Sequence, residues 1–369
     1  MPRDRIDTLP SCRVSAQPAR VSSGARWRLR VLAFCLALQL IVSPSQSIAF
    51  GTINLLGQHE EHAQITRAGL AGAGFGERTL TAFVGGGGRF GAVGAPDRPG
   101  RGLTSEPAAH CDEGDYLPIR GYPRSARQAQ AVLERCREWI RRHTSLAVAS
   151  AGELAPAGSS TGTRDYADPA SCPFSGSDQD PKCRTLGLLG VAFHAAQDFY
   201  SHTNWVDAPT GSDLNPSDPP GLGQSGPAPW LLSNGANAPP GGLISGCYEG
   251  WPEWMHCRYG DAQRRVQHSD LDKDNGRINP RDVRLSIGTT RRGLKDGNFG
   301  RAVDAAVRDT RERYRAFEAA VRARYGDSRA GLALCVLKND QPGRCSSRGG
   351  RTGLTAIRKS ADKFPPQGG

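Results

Sequence analysis

Two histidines and an aspartate recur every four residues in His194-Ala-Ala-Gln-Asp198-Phe-Tyr-Ser-His202, which runs on into Thr203-Asn204-Trp205. On an α-helix each step of four drifts only about 40°, so the three polar groups share one face. The surrounding stretch is apolar, carrying Leu186, Leu188, Leu189, Val191, Phe193 and Phe199. Burying two imidazoles and a carboxylate costs several kcal/mol unless they are paired or bound to a cation. Imidazole nitrogen and carboxylate oxygen together suit Zn²⁺ or a similar ion. The competing arrangement is a hydrogen-bonded His–Asp pair in the core with His202 exposed. A third member on the same face favours the metal.

Further histidines sit in short acidic windows: Gln58-His-Glu-Glu-His62, Ala109-His110-Cys-Asp-Glu-Gly-Asp115 and His268-Ser-Asp-Leu-Asp272-Lys-Asp274. The first is not the H-E-x-x-H of zinc proteases, because its histidines are three apart. The third invites comparison with an EF-hand loop, yet from Asp270 or Asp272 no Gly falls at position six and no Glu at position twelve. Each window alone is an ordinary surface or structural group. Four His-plus-carboxylate windows in one chain point to more than one metal ion. His143 and His256 lack a partner pattern and read as structural or surface residues.

These side chains need helices to hold them. The 369 residues include 46 Gly and 26 Pro, which regular elements tolerate poorly, so long loops must separate the helices. Helical periodicity spans 124–154, with Ser125 as N-cap, and the apolar stretch 185–205 reads as a buried central helix. An amphipathic outer helix covers 298–325 and ends at Gly326, with shorter helices over 60–70 and 330–338. Strand-like alternation is scarce, so the fold class is all-α. Loops are expected over 83–104, which is glycine-rich, and over 207–243.

Residues 26–49 carry three arginines, an apolar run from Val31 to Val42 and the small-residue site Ser47-Ile-Ala49. That is the pattern of a secretory signal, too short and too interrupted for a membrane span. Cleavage after Ala49 makes Phe50 the new N-terminus and the protein secreted. The leader holds seven arginines and two aspartates, leaving 40 basic and 34 acidic residues. The net charge of +11 therefore does not describe a strongly basic core and gives no argument for nucleic-acid binding. Eight cysteines remain, an even number that reads as disulfides in an exported chain. Spacing favours the local closures Cys172–Cys183, Cys247–Cys257 and Cys335–Cys345, which leaves Cys111 with Cys136. The basic tail, 346–369, is expected to be disordered. The domain plan is thus a leader over 1–49, one helical metal-binding domain over 50–345, and the tail.

The His194–His202 repeat followed by Thr203-Asn204-Trp205 resembles the HET-C-like proteins, and more distantly the zinc-dependent phospholipase C and S1/P1 nuclease superfamily. The combination of Ala49-Phe-Gly-Thr-Ile-Asn-Leu-Leu-Gly57, Phe90-Gly-Ala-Val-Gly-Ala-Pro-Asp97, Ala109–Tyr116, the His194 helix, Leu243-Ile-Ser-Gly-Cys247 and Asn298-Phe299 resembles the CinY family of secreted actinobacterial proteins. The distant superfamily implies an all-α phospholipase C/P1 nuclease-like core holding two or three zinc ions. By that resemblance Phe50, through its amino group, and His62 are metal ligands. Asp97 and His110 precede the central helix in the same role. His194 and Asp198 form the helix pair whose carboxylate bridges two metals, and His202 is the third helix ligand. His268 and Asp272 match a later His-x-x-x-Glu, with Asp in place of Glu.

The resemblance implies a zinc-dependent phosphodiester hydrolase of phospholipase C type, acting on a phospholipid head group or another phosphodiester at a possible membrane surface. Nucleic acid, cut by a single-strand nuclease, is the enzymatic alternative. A non-catalytic secreted protein with a structural metal site or partner-binding surface is the other. Trp205, Trp230, Trp251 and Trp254 are candidates to line a cleft or meet a membrane interface, although Trp205 is expected to serve packing.

Overall fold

A computed structural model describes residues 50–54, 57–162, 166, 168–209, 214–233, 237–250, 252–260 and 263–346. The expected leader, Trp251 and the tail beyond Ser346 lie outside the described residues. The helices are α1 (Glu61–Gly69), α2 (Glu77–Val84), α3 (Pro107–His110), α4 (Ala126–Ala151), α5 (Pro181–His202), α6 (Pro229–Leu232), α7 (Glu253–His256), α8 (Arg291–Leu294), α9 (Asn298–Tyr325) and α10 (Asp327–Lys338). Strand content among the described residues is limited to two-residue pairs. β1 (Arg258–Tyr259) lies antiparallel to β2 (Gln263–Arg264), and β3 (Gly276–Arg277) to β4 (Ile287–Gly288). The fold is mainly α.

The five helices expected from periodicity all form, α9 with the expected ends and the others with shifted ones. α4 begins with a reciprocal capping box, in which Ser125 Oγ accepts from Gln128 N and Ser125 N donates to Gln128 Oε1 at 2.8 Å. α5 starts earlier than its apolar run, because Asp180 accepts from the Lys182 and Cys183 amides and Pro181 fits the first turn. α2 is an addition over residues given no element, and its last two positions fall in the loop expected from residue 83. Eight residues long, it buries Thr79, Phe83 and Val84.

α5 is buried on nearly every side and runs through two apolar clusters. Leu186, Leu189 and Phe193 belong to one, with Val321, Leu334 and Leu337 from α9 and α10. Ala192, Ala195, Phe199 and Tyr200 belong to the other, with Leu133, Ile140, Phe299 and Val303. Its closest neighbour is α4, followed by α9. At Gly190 a Cβ would lie 2.3 Å from the Ala92 carbonyl, so only glycine lets the 92–97 segment lie against α5.

All four disulfides expected from the spacing are present, with Cα–Cα distances of 5.1–5.8 Å. They indicate an extracellular or otherwise oxidising environment. No helix among the described residues is long and apolar enough to cross a membrane. Trp205 and Trp230 are buried in the core, their indole nitrogens donating to Gly226 O and Asn237 O. The cleft-lining role considered for Trp230 is thereby corrected to packing. Trp254 is exposed.

Candidate metal centre

The polar face of α5 meets side chains from four other parts of the chain. The 92–97 segment delivers Asp97, α3 delivers His110, and α1 delivers His62 to the N-terminal half of that face. His194 Nε2 lies 3.0 Å from Asp198 Oδ2, 3.4 Å from Asp97 Oδ1 and 3.2 Å from His110 Nδ1. His110 Nδ1 is 3.0 Å from Asp198 Oδ2 and 3.8 Å from Asp97 Oδ1. A tetrahedral zinc with ordinary bond lengths separates its donors by about 3.3–3.6 Å. A charge-assisted N–H···O pair closes instead to about 2.7–2.9 Å. The two 3.0 Å contacts to Asp198 Oδ2 are close to hydrogen-bond length and the remainder lie at 3.2–3.8 Å, so the four atoms are near enough to share one ion. The other oxygen of Asp198 faces His62 Nε2 at 3.1 Å, so this carboxylate stands between His62 and the His110–His194 pair.

A second group forms one turn along. His202 Nε2 lies 3.0 Å from Asp274 Oδ1, and His268 Nε2 2.9 Å from Asp274 Oδ2. Their Nδ1 atoms lie 3.2 and 3.1 Å from Asp112 Oδ1. Gly246 makes this approach possible, since a Cβ there would sit 2.3 Å from His268 Cα. Asp272 is within ligating distance of the His268–Asp274 pair. All these side chains are buried.

The hydrogen bonds fix which nitrogens face inward. A carbonyl only accepts, so His110 carries its proton on Nε2, opposite Leu103 O at 3.1 Å, and His202 on Nδ1, opposite His110 O at 2.8 Å. His62 Nδ1 donates to Gln197 Oε1 at 2.7 Å, because the Gln197 amide nitrogen is committed to the hydroxyls of Thr66 and Thr310. Each of these rings is oriented from outside and turns its other nitrogen to the carboxylates, the outer arrangement of metal-bound histidines. Asp97 Oδ1 is buried without a hydrogen bond, and His62 Nε2 and Asp198 Oδ1 have only their mutual 3.1 Å contact, which a cation would remedy.

Electrostatics agree with the geometry. Burial alone would push His194 down, but Asp198 and Asp97 outweigh it and hold the ring at about 10. Burial likewise pushes Asp112 up, while His202 and His268 outweigh that and leave it at about 2. The same opposition holds Asp198 well below the carboxylate range. Backbone strain gathers here too. Of the five non-glycine residues with positive φ among the described residues, Glu60, Cys111 and Glu113 each lie within two positions of His62, His110 or Asp112.

Every residue expected at the metal site is brought to this region. Phe50 is buried edge-on to His62, with ring centres 5.9 Å apart, and the Gly51 amide donates to Asp274 O at 3.1 Å. Sequence reasoning did not single out Asp112 or Asp274, although both sit in windows it marked. Another acidic group, Glu113, Asp115 and Cys247, is not a metal site. Cys247 is tied to Cys257, and Arg265 bridges both carboxylates. Comparison with protein-family models, curated proteins and solved structures finds no match to this chain.

Proposed function

We propose that the protein is a secreted zinc-dependent phosphodiester hydrolase of phospholipase C type, with a phospholipase C/P1 nuclease-like core. The observation that carries this reading is Asp198, one oxygen of which faces His110 and His194 and the other His62 within one buried cluster. Asp97, His110, His194 and Asp198 would hold one ion. His202, His268 and Asp274 would hold a second, and His62 with Asp198 and the Phe50 amino group a third. Adjacent zinc ions supply a water of near-neutral pKa and offset charge building on phosphoryl oxygens. The chain itself fixes the imidazoles through Gln197, Leu103 and the His110 carbonyl, and shields the donors from bulk water.

Near-complete burial of the donors favours a second reading, a closed structural metal site without turnover. Metal content by elemental mass spectrometry, followed by assays on phosphatidylcholine and single-stranded DNA, separates the two. Two or more zinc ions per chain with chelator-sensitive lipid hydrolysis supports the hydrolase. DNA cleavage alone selects the nuclease, and bound zinc without hydrolysis the structural role. Retention of full metal content by His194→Ala/Asp198→Ala would remove the site altogether.

A further inference from the structure

Beyond Asp274 the chain leaves the metal-binding side chains, forms the β3–β4 pair and returns to α9. Its large apolar residues there face the wrong way for a core. Leu285 and Ile287 are 65% and 66% exposed, whereas Ser286 and Gly288 between and after them are buried. Leu285, at the end of a 3₁₀ turn, and Ile287, in β4, thus both turn their apolar side chains to solvent while their small neighbours face inward. Leu294 follows in α8 at 60% exposure. Close contact between Gly288 and Gly293 keeps α8 against β4. Three of the seven exposed large hydrophobics among the described residues thus lie within ten positions.

The same segment is strongly basic. Residues 276–297 contain six Lys or Arg and two Asp. Arg277 stands directly across from Ile287 in the strand pair, and Arg281 is exposed in the connecting loop. Neither guanidinium makes a hydrogen bond or ion pair with the described residues, whereas Arg284 is held by Asp282 and Arg292 by Asp207. The base of the segment is fixed to the candidate centre. Gly276 N donates to Glu61 Oε1, Thr289 N to Asn275 O, and Thr290 Oγ1 to Asp272 O, at 2.8 Å each.

We propose that the 276–297 segment is a docking surface for an anionic lipid bilayer, with Leu285, Ile287 and Leu294 entering the head-group boundary and Arg277 and Arg281 pairing with lipid phosphates. Apolar side chains flanked by unpaired cations match the two components of interfacial binding, insertion and attraction to anionic lipid. A protein partner of mainly apolar chemistry would not call for the unpaired arginines. The proposal extends the phosphodiesterase reading by presenting the site to its substrate surface, but it rests on different residues and is tested by binding alone.

Metal-stripped protein is sedimented with phosphatidylcholine vesicles with and without phosphatidylglycerol. Binding is expected only with the anionic lipid, and it weakens with added salt. Leu285→Ser/Ile287→Ser/Leu294→Ser and Arg277→Glu/Arg281→Glu should each reduce it about tenfold or more, whereas Arg135→Glu/Arg142→Glu, an equal charge change on α4, should not. Circular dichroism verifies that each variant folds. Equal loss in the α4 control, or undiminished binding by the triple serine variant, would overturn the proposal. So would self-association abolished by the serine substitutions without any vesicle binding, which would make the patch a contact between copies.

Discussion

Asp274 and Asp272 make opposed demands on experiment at the scale of single residues. Asp274 spans the inward nitrogens of His202 and His268, one oxygen to each. Asp272 is grouped with His268 and Asp274 but not with His202, and its backbone carbonyl accepts from Thr290 Oγ1. Asp274→Asn is therefore expected to lose one metal equivalent per chain by elemental mass spectrometry, while Asp272→Asn keeps it. Gln197 is the outer counterpart. Gln197→Leu withdraws the acceptor that orients His62 and strands the Thr66 and Thr310 hydroxyls. Zinc affinity by competition with a chromogenic chelator should fall about 10–100-fold, as for other second-layer partners of metal-bound histidine. The α5 triad was legible because its polar residues break an apolar helix at a spacing of four. Asp274 was not, because that spacing has meaning only on a helix. His268–Asp270 is one 3₁₀ turn, after which the chain extends and carries Asp274, four residues beyond that turn, back to the rings.

Elements must bring these residues together, and their anchors are testable separately. The Cys111–Cys136 disulfide ties the segment bearing His110 and Asp112 to α4, and Glu113 N donates to Gly246 O to seat it beside His268. Cys111→Ser/Cys136→Ser should cost about 2–4 kcal/mol in denaturant unfolding and also lower zinc content. Cys335→Ser/Cys345→Ser, joining the end of α10 to the following loop, should lower stability while leaving zinc content unchanged. The buried Lys182 near the start of α5 links α2 and α10 through Thr79 Oγ1 and Asn339 O. Burial lowers it from 10.5 to about 8. Between those values the unfolded chain binds the proton that the folded chain has released, so stability from this group rises with pH. Lys182→Met should remove that contribution, read as the difference from the unsubstituted protein in urea titrations from pH 8 to 10.5. Periodicity revealed α4, α5 and α9 because each repeats its apolar face over many turns. α2, with only eight residues beside a glycine-rich loop, offers two turns of pattern and owes its place to Asp340, which accepts from Thr79 N.

At the scale of the whole molecule, the buried centre couples metal, protons and folding. Without metal, the site is a set of imidazolium–carboxylate pairs. His194, raised to about 10, contributes stability that is fully present below its unfolded value of 6.5 and is lost as pH rises through 10. Asp112, lowered to about 2, contributes stability present above 3.8 that is lost as pH falls through 2. The metal-free protein should therefore weaken steadily between pH 6.5 and 10. Zinc displaces the same protons, so its binding strengthens over that window, and a ligand bound only by the folded state adds stability with its affinity. Melting temperatures at pH 6.5 and pH 9, with EDTA or with excess zinc, should consequently diverge, the gain from zinc being larger at the higher pH. A gain that is equal at both values, or larger at pH 6.5, would mean that zinc does not compete with these protons and that the His–Asp cluster is a metal-free ionic core.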